Sequence, residues 1–320
     1  MTSPEAVSKE VNTMNSKNLI YVLTVAEERS FSKAAKKLYV AQPSLSQRIH
    51  SIEEEIGAKL FDRSTVPLTL TYAGERYVTA AKELLNIEKN LQLEIDDIGE
   101  NKQGRITLGI SSLWGQWILP IVFPEFKKKF PNMELEIFEG TFEKLNISLM
   151  EGKTDLIVSS QLEPQQPLIY IHVLEDELLL ASPSPVSIIH PTYSGVNSLP
   201  TVNLQKLSTQ DFILLTPEQG LRKTTDQIFK WYGINPNIIL ETKNIQTALK
   251  LTAKGIGHTI ILESNIKYFT LENDVSYYRF DRGNFKHKMY ICYRKNSYLS
   301  KALIELINII IQAFSTPPIE

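Results

Sequence analysis

The sequence contains very little cysteine and histidine. Cys292 is the single cysteine among 320 residues, which excludes a disulfide within the chain and a zinc site built from cysteines. The five histidines stand far apart, and their spacing is not that of metal ligands. We therefore expect no metal and no cofactor. The scarcity of cysteine fits a reducing compartment, so we expect a cytoplasmic protein.

Long apolar runs and enzyme signatures are also missing. No stretch reaches the roughly 18 uninterrupted apolar residues that cross a bilayer, and the first ten residues lack the order of a signal peptide. We therefore expect no membrane partner. The sequence has no dinucleotide or phosphate-binding glycine loop, no nucleophile elbow and no His-Glu-x-x-His. These absences argue against an enzyme and against an exported solute-binding protein.

Net charge gives no first indication of a polyanionic partner. The chain has 34 basic and 36 acidic side chains, for a net charge of −2. Its 42% hydrophobic content is ordinary for a globular protein, and its length suggests two domains at roughly 150 residues each. Only the local placement of charge can therefore indicate a nucleic-acid partner.

The apolar pattern changes near residue 104. From residue 18 to 98 the apolar spacing is three and four, which predicts helices. From residue 105 onward, short β-branched runs alternate with helical stretches, which predicts βαβ units and a mainly parallel sheet. The polar segment 99–104 is bracketed by glycines and separates the two regions. The sequence thus predicts a helical N-terminal domain, a linker and a C-terminal α/β domain.

Two short helices are predicted between residues 30 and 52. Ser30 or Ser32 can cap the first helix, and Pro43 favours the first turn of the second. The apolar side chains of the second helix form one face, and its small polar side chains form the other. This layout is typical of a helix-turn-helix, whose second helix enters the DNA major groove. The inward residues are Leu45, Ile49 and Ile52, and the outward residues are Ser44, Gln47, Arg48 and Ser51.

Local charge supports DNA binding by these helices. The stretch from residue 29 to 52 holds five cations and no acid, and an acidic run at 53–55 is predicted to lie away from the basic face. A basic helix alone is more often a solvated surface, but the helix-turn-helix layout favours DNA binding. The five cations are Arg29, Lys33, Lys36, Lys37 and Arg48.

A hairpin and a long helix are predicted next. Two short runs, 60–63 and 68–70, flank a turn and predict a wing, with Arg63 as a phosphate contact. Thr71 can cap a helix that runs to about residue 98. Its apolar heptad pattern, interrupted by Glu88, favours dimerisation, because a small winged domain offers a lone helix little to pack against. The heptad positions are Tyr77, Ala81, Leu84, Glu88, Leu91, Ile95 and Ile98.

Residues 18–74 closely resemble the LysR-type transcriptional regulators. The matching residues are Phe31-Ser-Lys-Ala-Ala35, Leu38, Gln42-Pro-Ser-Leu-Ser46, Ile49, Glu53, Gly57, Leu60-Phe61, Arg63 and Leu70-Thr-Tyr-Ala-Gly74. On this basis we expect a disordered extension at 1–13, a winged helix-turn-helix domain at 15–72, a linker and dimerisation helix at 73–99 and a hinge at 100–104.

The resemblance also shows what this chain lacks. Ala41 stands where the family usually has a serine cap, and Thr65 and Val66 stand where its wing usually carries a basic residue. We therefore expect weaker contacts to the DNA backbone. The DNA-binding residues that we predict are Ser30, Ser32, Lys33, Gln42, Pro43, Ser44, Ser46, Gln47, Arg48 and Arg63.

A looser resemblance continues into the family's ligand-sensing domain, which looks like a type 2 periplasmic binding protein. The matches include Gly104-Arg-Ile-Thr-Leu-Gly-Ile110, Leu119-Pro120, Asp155-Leu156 and Gly255-Ile-Gly257. This resemblance implies two α/β lobes within 105–315, with a ligand in the cleft between them. We expect lobe I at 105–162 and 285–315, and lobe II at 163–284.

Candidate effector-binding residues follow from the predicted strands. Ligands of open α/β sheets bind at the carboxyl ends of strands, beside helix N-termini. Hydroxyls and backbone N–H groups there suit a small anion, although an aromatic side chain such as Trp114 after the first strand more often belongs to the core. The residues that we predict are Ser111, Ser112, Trp114, Thr141, Ser159, Thr216, Gln219 and Asn244. The resemblance further implies a dimer of dimers on promoter DNA, switched by a small-molecule effector, that changes the recruitment of RNA polymerase.

Overall fold

The computed structural model describes residues 15–98, 104–160, 167–183, 199–268 and 275–315. Its contacts divide the chain into two compact units, 1–99 and 100–320. The extension predicted at 1–13, residues 100–103 of the predicted hinge and the predicted lobe boundary at 162–163 lie outside the described residues.

Residues 15–98, the described part of the first unit, form four helices and a two-stranded hairpin. Its strands pair antiparallel, with Phe61 opposite Leu70, and form the predicted wing. The elements are α1 (Ser16–Glu28), α2 (Phe31–Lys37), α3 (Gln42–Ile56), β1 (Phe61–Asp62), β2 (Thr69–Leu70) and α4 (Tyr72–Ile98).

Helix caps explain where these helices begin. The Ser30 hydroxyl accepts a hydrogen bond from the backbone N–H of Lys33 at 3.4 Å, so Ser30 rather than Ser32 caps α2. The Thr71 hydroxyl accepts from the N–H of Gly74 at 3.0 Å, which confirms the predicted cap of α4. Helix α3 begins after Ala41 without a side-chain cap and carries Pro43 in its first turn.

The predicted inward face of α3 is buried in the core of the first unit. Leu45, Ile49 and Ile52 are all inaccessible to solvent. Helix α4 packs against the start of the hairpin at Gly74, where a Cβ atom would lie 2.0 Å from the carbonyl oxygen of Leu60. Only glycine permits this close approach.

The second unit is a two-part α/β domain. Its first half contains β3 (Gly104–Ile110), α5 (Ser112–Lys129), β4 (Met133–Glu139), α6 (Phe142–Met150), β5 (Leu156–Ser159) and β6 (Leu168–Pro183). There follow β7 (Thr201–Val202), a 3₁₀ turn (Leu204–Leu207), β8 (Asp211–Leu215), α7 (Gly220–Tyr232), β9 (Asn237–Thr242) and α8 (Ile245–Ala253). The last elements are β10 (Thr259–Leu262), α9 (Glu263–Tyr268), β11 (Val275–Phe280), β12 (Lys286–Arg294) and α10 (Lys301–Ser315).

The sheet of the second unit is mixed, which corrects the prediction of a mainly parallel one. The strand order is β4-β3-β5-β12-β6-β11-β7, and β10 also pairs with β6. Strand β3 is parallel to β4 and β5, and β8 is parallel to β9. Strand β6, however, is antiparallel to β12, β10 and β11. Its first half pairs with β12 and its second half with β10 and β11, so β6 joins the two halves of the domain.

Two kinds of feature are absent from the described ranges. No helix there is long and apolar enough to cross a membrane. No group of three or more histidine, cysteine, aspartate or glutamate side chains there is arranged to hold a metal ion. The single cysteine, Cys292, is buried in β12, and burial raises the pKa of its thiol to about 12.

Candidate DNA-binding and effector sites

The outward face of α3 and the hairpin border one open groove. Gln42, Pro43 and Gln47 are exposed, and Ser46 is half-buried. These four side chains line the groove together with Arg63 from the hairpin. Five of the predicted DNA-binding residues therefore share one surface. Of the remaining outward residues on α3, Ser44 is exposed as well.

Arg63 is held in place by two contacts. Its guanidinium lies 3.2 Å from a carboxylate oxygen of Glu53 and 5.2 Å from the centre of the Phe31 ring. The Glu53 side chain is fully buried and also accepts hydrogen bonds from the backbone N–H groups of Leu60 and Phe61, at 2.8 and 3.2 Å. The acidic run was expected away from the basic face, but its first member lies beneath the hairpin because the hairpin's N–H groups need an acceptor there.

The basic surface of α2 is smaller than predicted. Ser32, Lys33 and Lys36 are exposed, but the ammonium group of Lys37 lies 2.8 Å from Glu27 and 2.9 Å from Glu28. Hydrogen bonds to these carboxylates raise the pKa of Lys37. Both acids lie just before the stretch in which cations were counted, and α1 brings them back to α2.

Arg48 is partly engaged within the first unit. Its Nε donates a hydrogen bond to the side-chain oxygen of Asn18 at 2.9 Å, and the Arg48 residue is half-buried. Gln47, by contrast, is exposed and points away from the apolar face of α3. Gln47 can therefore contact DNA without losing a hydrogen bond within the protein, and it is better placed for such a contact than Arg48.

The predicted heptad pattern of α4 divides into two parts. Tyr77 and Ala81 are buried in the core of the first unit, and Glu88 accepts a hydrogen bond from the Ser16 hydroxyl at 2.7 Å. Further along, four large apolar side chains are exposed to solvent. We call these residues, Leu84, Ile87, Leu91 and Ile95, the α4 stripe.

A cleft of about 400 Å³ lies at the carboxyl ends of β3, β4 and β5 in the second unit. Five of the eight predicted effector-binding residues line it. They are Ser111, Ser112, Thr141, Ser159 and Gln219. The other lining residues are Leu113, Glu139, Gly140, Phe142, Lys144, Ser160, Glu218, Gly220, Leu221, Lys243 and His287.

Three helices begin at this cleft. Their N-cap residues, Ser111 for α5, Thr141 for α6 and Gln219 for α7, make no capping hydrogen bond with their side chains. The backbone N–H groups in the first turn of a helix have no partner within the helix and favour negative charge. The cleft is thus surrounded by three positive helix ends.

Buried polar groups form the wall of the cleft beside β5 and β12. Ser159 is 3% exposed, and its hydroxyl has no hydrogen-bond partner among the described residues. The Ser160 hydroxyl accepts a hydrogen bond from the indole N–H of Trp114 at 2.8 Å. The Nδ1 atom of His287 lies 3.1 Å from the Thr224 hydroxyl, and burial lowers the pKa of His287 to about 4. His287 is therefore neutral near pH 7.

Trp114 does not reach the cleft. Its side chain is fully buried and stacks on His287, with 5.7 Å between the ring centres. It also packs edge-on against Trp117 at 5.3 Å. Of the two alternatives for Trp114, the structure supports the core, because the side chain is inaccessible to solvent and is not among the residues that line the cleft. The indole supports the cleft wall from behind.

Two other predicted residues also lie outside the cleft lining. The Asn244 side chain caps α8, where its oxygen accepts from the N–H of Gln246 at 2.8 Å, and Thr216 precedes the lining residues of its loop. Arg222, near the start of α7, is buried and pairs with Asp226 and Glu241 at 2.8 and 2.6 Å.

Sequence reasoning missed several lining residues. Glu139, Lys144 and Glu218 are charged side chains without a local pattern, and His287 lies on a strand that returns from far along the chain. The rule of strand ends gives the position of Glu139, the last residue of β4, but the residues predicted there included no charged side chain. No local signal could have placed His287.

Comparison with known families matches both units. Residues 16–75 match the family described as "Bacterial regulatory helix-turn-helix protein, lysR family". Residues 99–315 match the "LysR substrate binding domain". The HTH-type transcriptional regulator AlsR of Bacillus subtilis is 29% identical over 300 residues, which cover 92% of this chain and 96% of AlsR.

Solved structures show the same fold. A full-length OxyR variant from Pseudomonas aeruginosa superposes with a TM-score of 0.69 at 20% identity and covers 95% of both chains. Full-length CbnR complexed with its target DNA gives a TM-score of 0.60 at 20% identity, over 93% of this chain and 99% of CbnR.

Proposed function

We propose, on the premise that this chain belongs to the LysR family of DNA-binding transcriptional regulators, that α2, α3 and the hairpin bind promoter DNA and that the cleft of the second unit binds a small charged effector. The observation that carries the DNA-binding site is the shared groove of Gln42, Pro43, Ser46, Gln47 and Arg63. We propose that the protein acts in the cytoplasm, as a regulator and without enzymatic activity.

In this proposal α3 reads bases and the flanking side chains bind phosphates. The first turns of α3 enter the major groove, where glutamine side chains can bind adenine with two hydrogen bonds. Gln42 and Gln47 are the exposed glutamines of these turns. Lys33, Lys36 and Arg63 lie beside them as cations for the phosphate groups, which position the protein without reading sequence.

The effector site rests on the three helix starts around the cleft. Uncapped first turns of α5, α6 and α7 supply backbone N–H donors, and Ser111, Ser112 and Ser159 supply hydroxyls. Helix N-termini of this kind bind carboxylate or phosphate groups. A cleft of about 400 Å³ suits a small metabolite rather than a nucleotide-sized cofactor.

Assembly is proposed to proceed through α4. The α4 stripe is exposed in the single chain, and pairing with the same stripe of a second copy would bury it. A two-fold dimer then presents two α3 helices to a roughly palindromic site. We extend this to a dimer of dimers that contacts RNA polymerase, and the structure of CbnR with its target DNA supports the DNA-bound state.

The test is a comparison of two α3 variants on DNA. The full-length protein would first select its preferred duplex from a random pool, and fluorescence anisotropy would then give the affinity for that duplex. Gln47→Ala removes an exposed side chain without an internal partner, so we expect a loss of about 1–3 kcal/mol on the selected duplex and an unchanged melting temperature. On random duplexes the loss should be much smaller.

Glu54→Gln is the matched control. Glu54 lies two turns further along the same face of α3 and is exposed, beyond the part that enters the groove. We expect its affinity for the selected duplex to be unchanged or slightly higher, since a negative charge is removed. Equal affinity of the wild type and Gln47→Ala for the selected duplex would contradict the assignment of α3 as the reading helix.

A further inference from the structure

The two ends of the cleft differ in charge, and this difference defines a ligand class. Resting on the proposed effector site, we propose that the effector is a small zwitterion whose carboxylate binds at the start of α7 and whose amino group binds Glu139. The sequence alone predicted a small anion. The proposed ligand keeps the carboxylate and adds a positively charged amino group.

The carboxylate end lies where α7 meets β5 and β12. A Cβ atom on Gly220, the first residue of α7, would lie 3.6 Å from Cβ of Ser160 and 3.7 Å from Nε2 of His287. The start of α7 therefore faces both side chains closely. Ser159 lines the same cleft, is buried, and has a hydroxyl without a hydrogen-bond partner among the described residues. These neutral donors are suited to a carboxylate.

The neutrality of His287 fits this assignment. The ring is almost completely buried, and burial holds its pKa at about 4. Nδ1 is engaged with the Thr224 hydroxyl, while Nε2 lies on the side of Gly220 and the cleft. The imidazole thus offers a polar atom at the wall of the carboxylate end without adding a charge.

The opposite end of the cleft carries a carboxylate without a cation. Glu139 ends β4, is exposed, and accepts a hydrogen bond from the Ser112 hydroxyl at 3.4 Å. No lysine or arginine among the described residues lies within ion-pair distance of it. An amino group of a ligand would supply the missing positive charge.

The other acids near the cleft are already balanced. Glu143 of α6 pairs with Lys223 of α7 across the cleft. Glu218 lies 3.9 Å from Lys243. The pKa of Glu218 is lowered, mainly by a hydrogen bond from its own backbone N–H and further by the charges of Lys243 and Lys144. Glu139 is therefore the acid in the cleft lining that remains for a cationic group.

Strand register gives the separation of the two ends. Glu139 lies opposite Ile110 on β3, and Ile110 lies opposite Val158 on β5, the residue before Ser159. The two ends are thus two strands apart, about 10 Å at the usual strand spacing of roughly 4.8 Å. Hydrogen bonds of about 2.9 Å at each end leave roughly 4 Å between the amino nitrogen and the carboxylate oxygen of the ligand, which two methylene groups span. The amino group and carboxylate of an α-amino acid share one carbon atom and are only roughly 3 Å apart, which is too close to reach both ends.

The test uses three probes of similar length with the full-length protein. Isothermal titration calorimetry would compare 3-aminopropanoate, propanoate and butanedioate. We expect 3-aminopropanoate to bind about tenfold more tightly than propanoate, because a charge-assisted hydrogen bond to Glu139 is gained. Butanedioate should bind most weakly, since its second carboxylate faces Glu139.

Variants assign the two ends separately. Glu139→Gln should reduce the affinity for 3-aminopropanoate about tenfold and leave that for propanoate unchanged. Glu136→Gln is the matched control, because Glu136 lies on the same strand, pairs with Arg105 at 3.4 Å and is not a lining residue. It should keep the preference for 3-aminopropanoate. Ser159→Ala should weaken the binding of 3-aminopropanoate and propanoate by the same factor.

The possible failures are distinguishable. Butanedioate binding as tightly as 3-aminopropanoate would overturn the zwitterion and leave an anionic effector. A preference for 3-aminopropanoate that persists in Glu139→Gln would also overturn it. Failure of all three probes to bind would overturn the carboxylate end and with it the proposed effector site, whereas DNA binding by the first unit is tested independently by Gln47→Ala.

Discussion

Single buried carboxylates have opposite roles in the two units. Glu53 is stabilised by two backbone N–H groups and by Arg63, so its burial is compensated. Asp176 on β6 is also buried, but one of its oxygens accepts from the N–H of Ser264 at 3.2 Å and the other has no partner among the described residues. Burial therefore raises the pKa of Asp176 to about 6. Its charge opposes folding at neutral pH.

Asp176→Asn is expected to stabilise the second unit near pH 7.5. Because the pKa is raised on folding, the unfolded chain binds fewer protons than the folded one between about pH 4 and 6, and wild-type stability falls as pH rises through that range. The asparagine variant lacks this loss and should be more stable by about 2 kcal/mol above pH 7. Urea denaturation at pH 7.5 and pH 4 checks this, and a difference that does not shrink at pH 4 would contradict it.

At the scale of elements, the first turns and the later turns of α4 pack differently. Its first turns bury Tyr77 and Ala81 in the first unit, and its later turns expose the α4 stripe. Ile87 and Leu91 keep more than half of their surface accessible, at 63% and 56%. Such large apolar side chains in a row along one helix are typical of an interface.

Leu91→Asp is expected to shift the protein towards a monomer. The substitution places a charge in the middle of the α4 stripe, where pairing of two helices would bury it. Sedimentation velocity at micromolar concentration should show the smaller species, while Gln92→Asp, the same substitution at the next exposed position, should retain the oligomer. Equal sedimentation of the two variants would rule out the stripe as the interface.

Helices were easier to predict from the sequence than strand pairing. The beginning and end of α4 follow from Thr71 and from apolar spacing, both of which are local. Strand β6 contains the polar stretch His172–Glu177, and its partner β12 follows more than a hundred residues later, so no local pattern shows their antiparallel pairing. The hydroxyls of the cleft follow strand ends and were predictable. The position of His287 depends on that distant pairing, and the charge balance near Glu139 depends on ion pairs between distant segments such as Glu143 and Lys223, so neither was predictable.

At the scale of the whole molecule, regulation requires that the two units be coupled. A ligand changes DNA affinity only if it binds the states of the protein with different free energies. The same coupling then acts in the other direction, so bound DNA must change the affinity for the effector by the same factor. Calorimetry with the zwitterionic probe in the presence and absence of the selected duplex measures this factor.

The overall charge of −2 does not oppose DNA binding, because the acidic side chains neutralise only some of the cations near the DNA-binding surface. Lys37 is paired with Glu27 and Glu28, whereas Lys36 on the same helix is exposed and forms no ion pair among the described residues. The two neighbouring lysines therefore provide a matched pair for measuring the phosphate contacts of the first unit.

The most direct test of DNA binding by this surface is the salt dependence of affinity for the selected duplex. Each phosphate contact contributes about −0.9 to the slope of log affinity against log salt concentration. With Lys33, Lys36 and Arg63 from each of two protomers, we predict a slope of about −5, which Lys36→Ala reduces by about 2 and Lys37→Ala leaves unchanged. Affinity that is independent of salt, or an equal effect of the two lysine variants, would contradict the account.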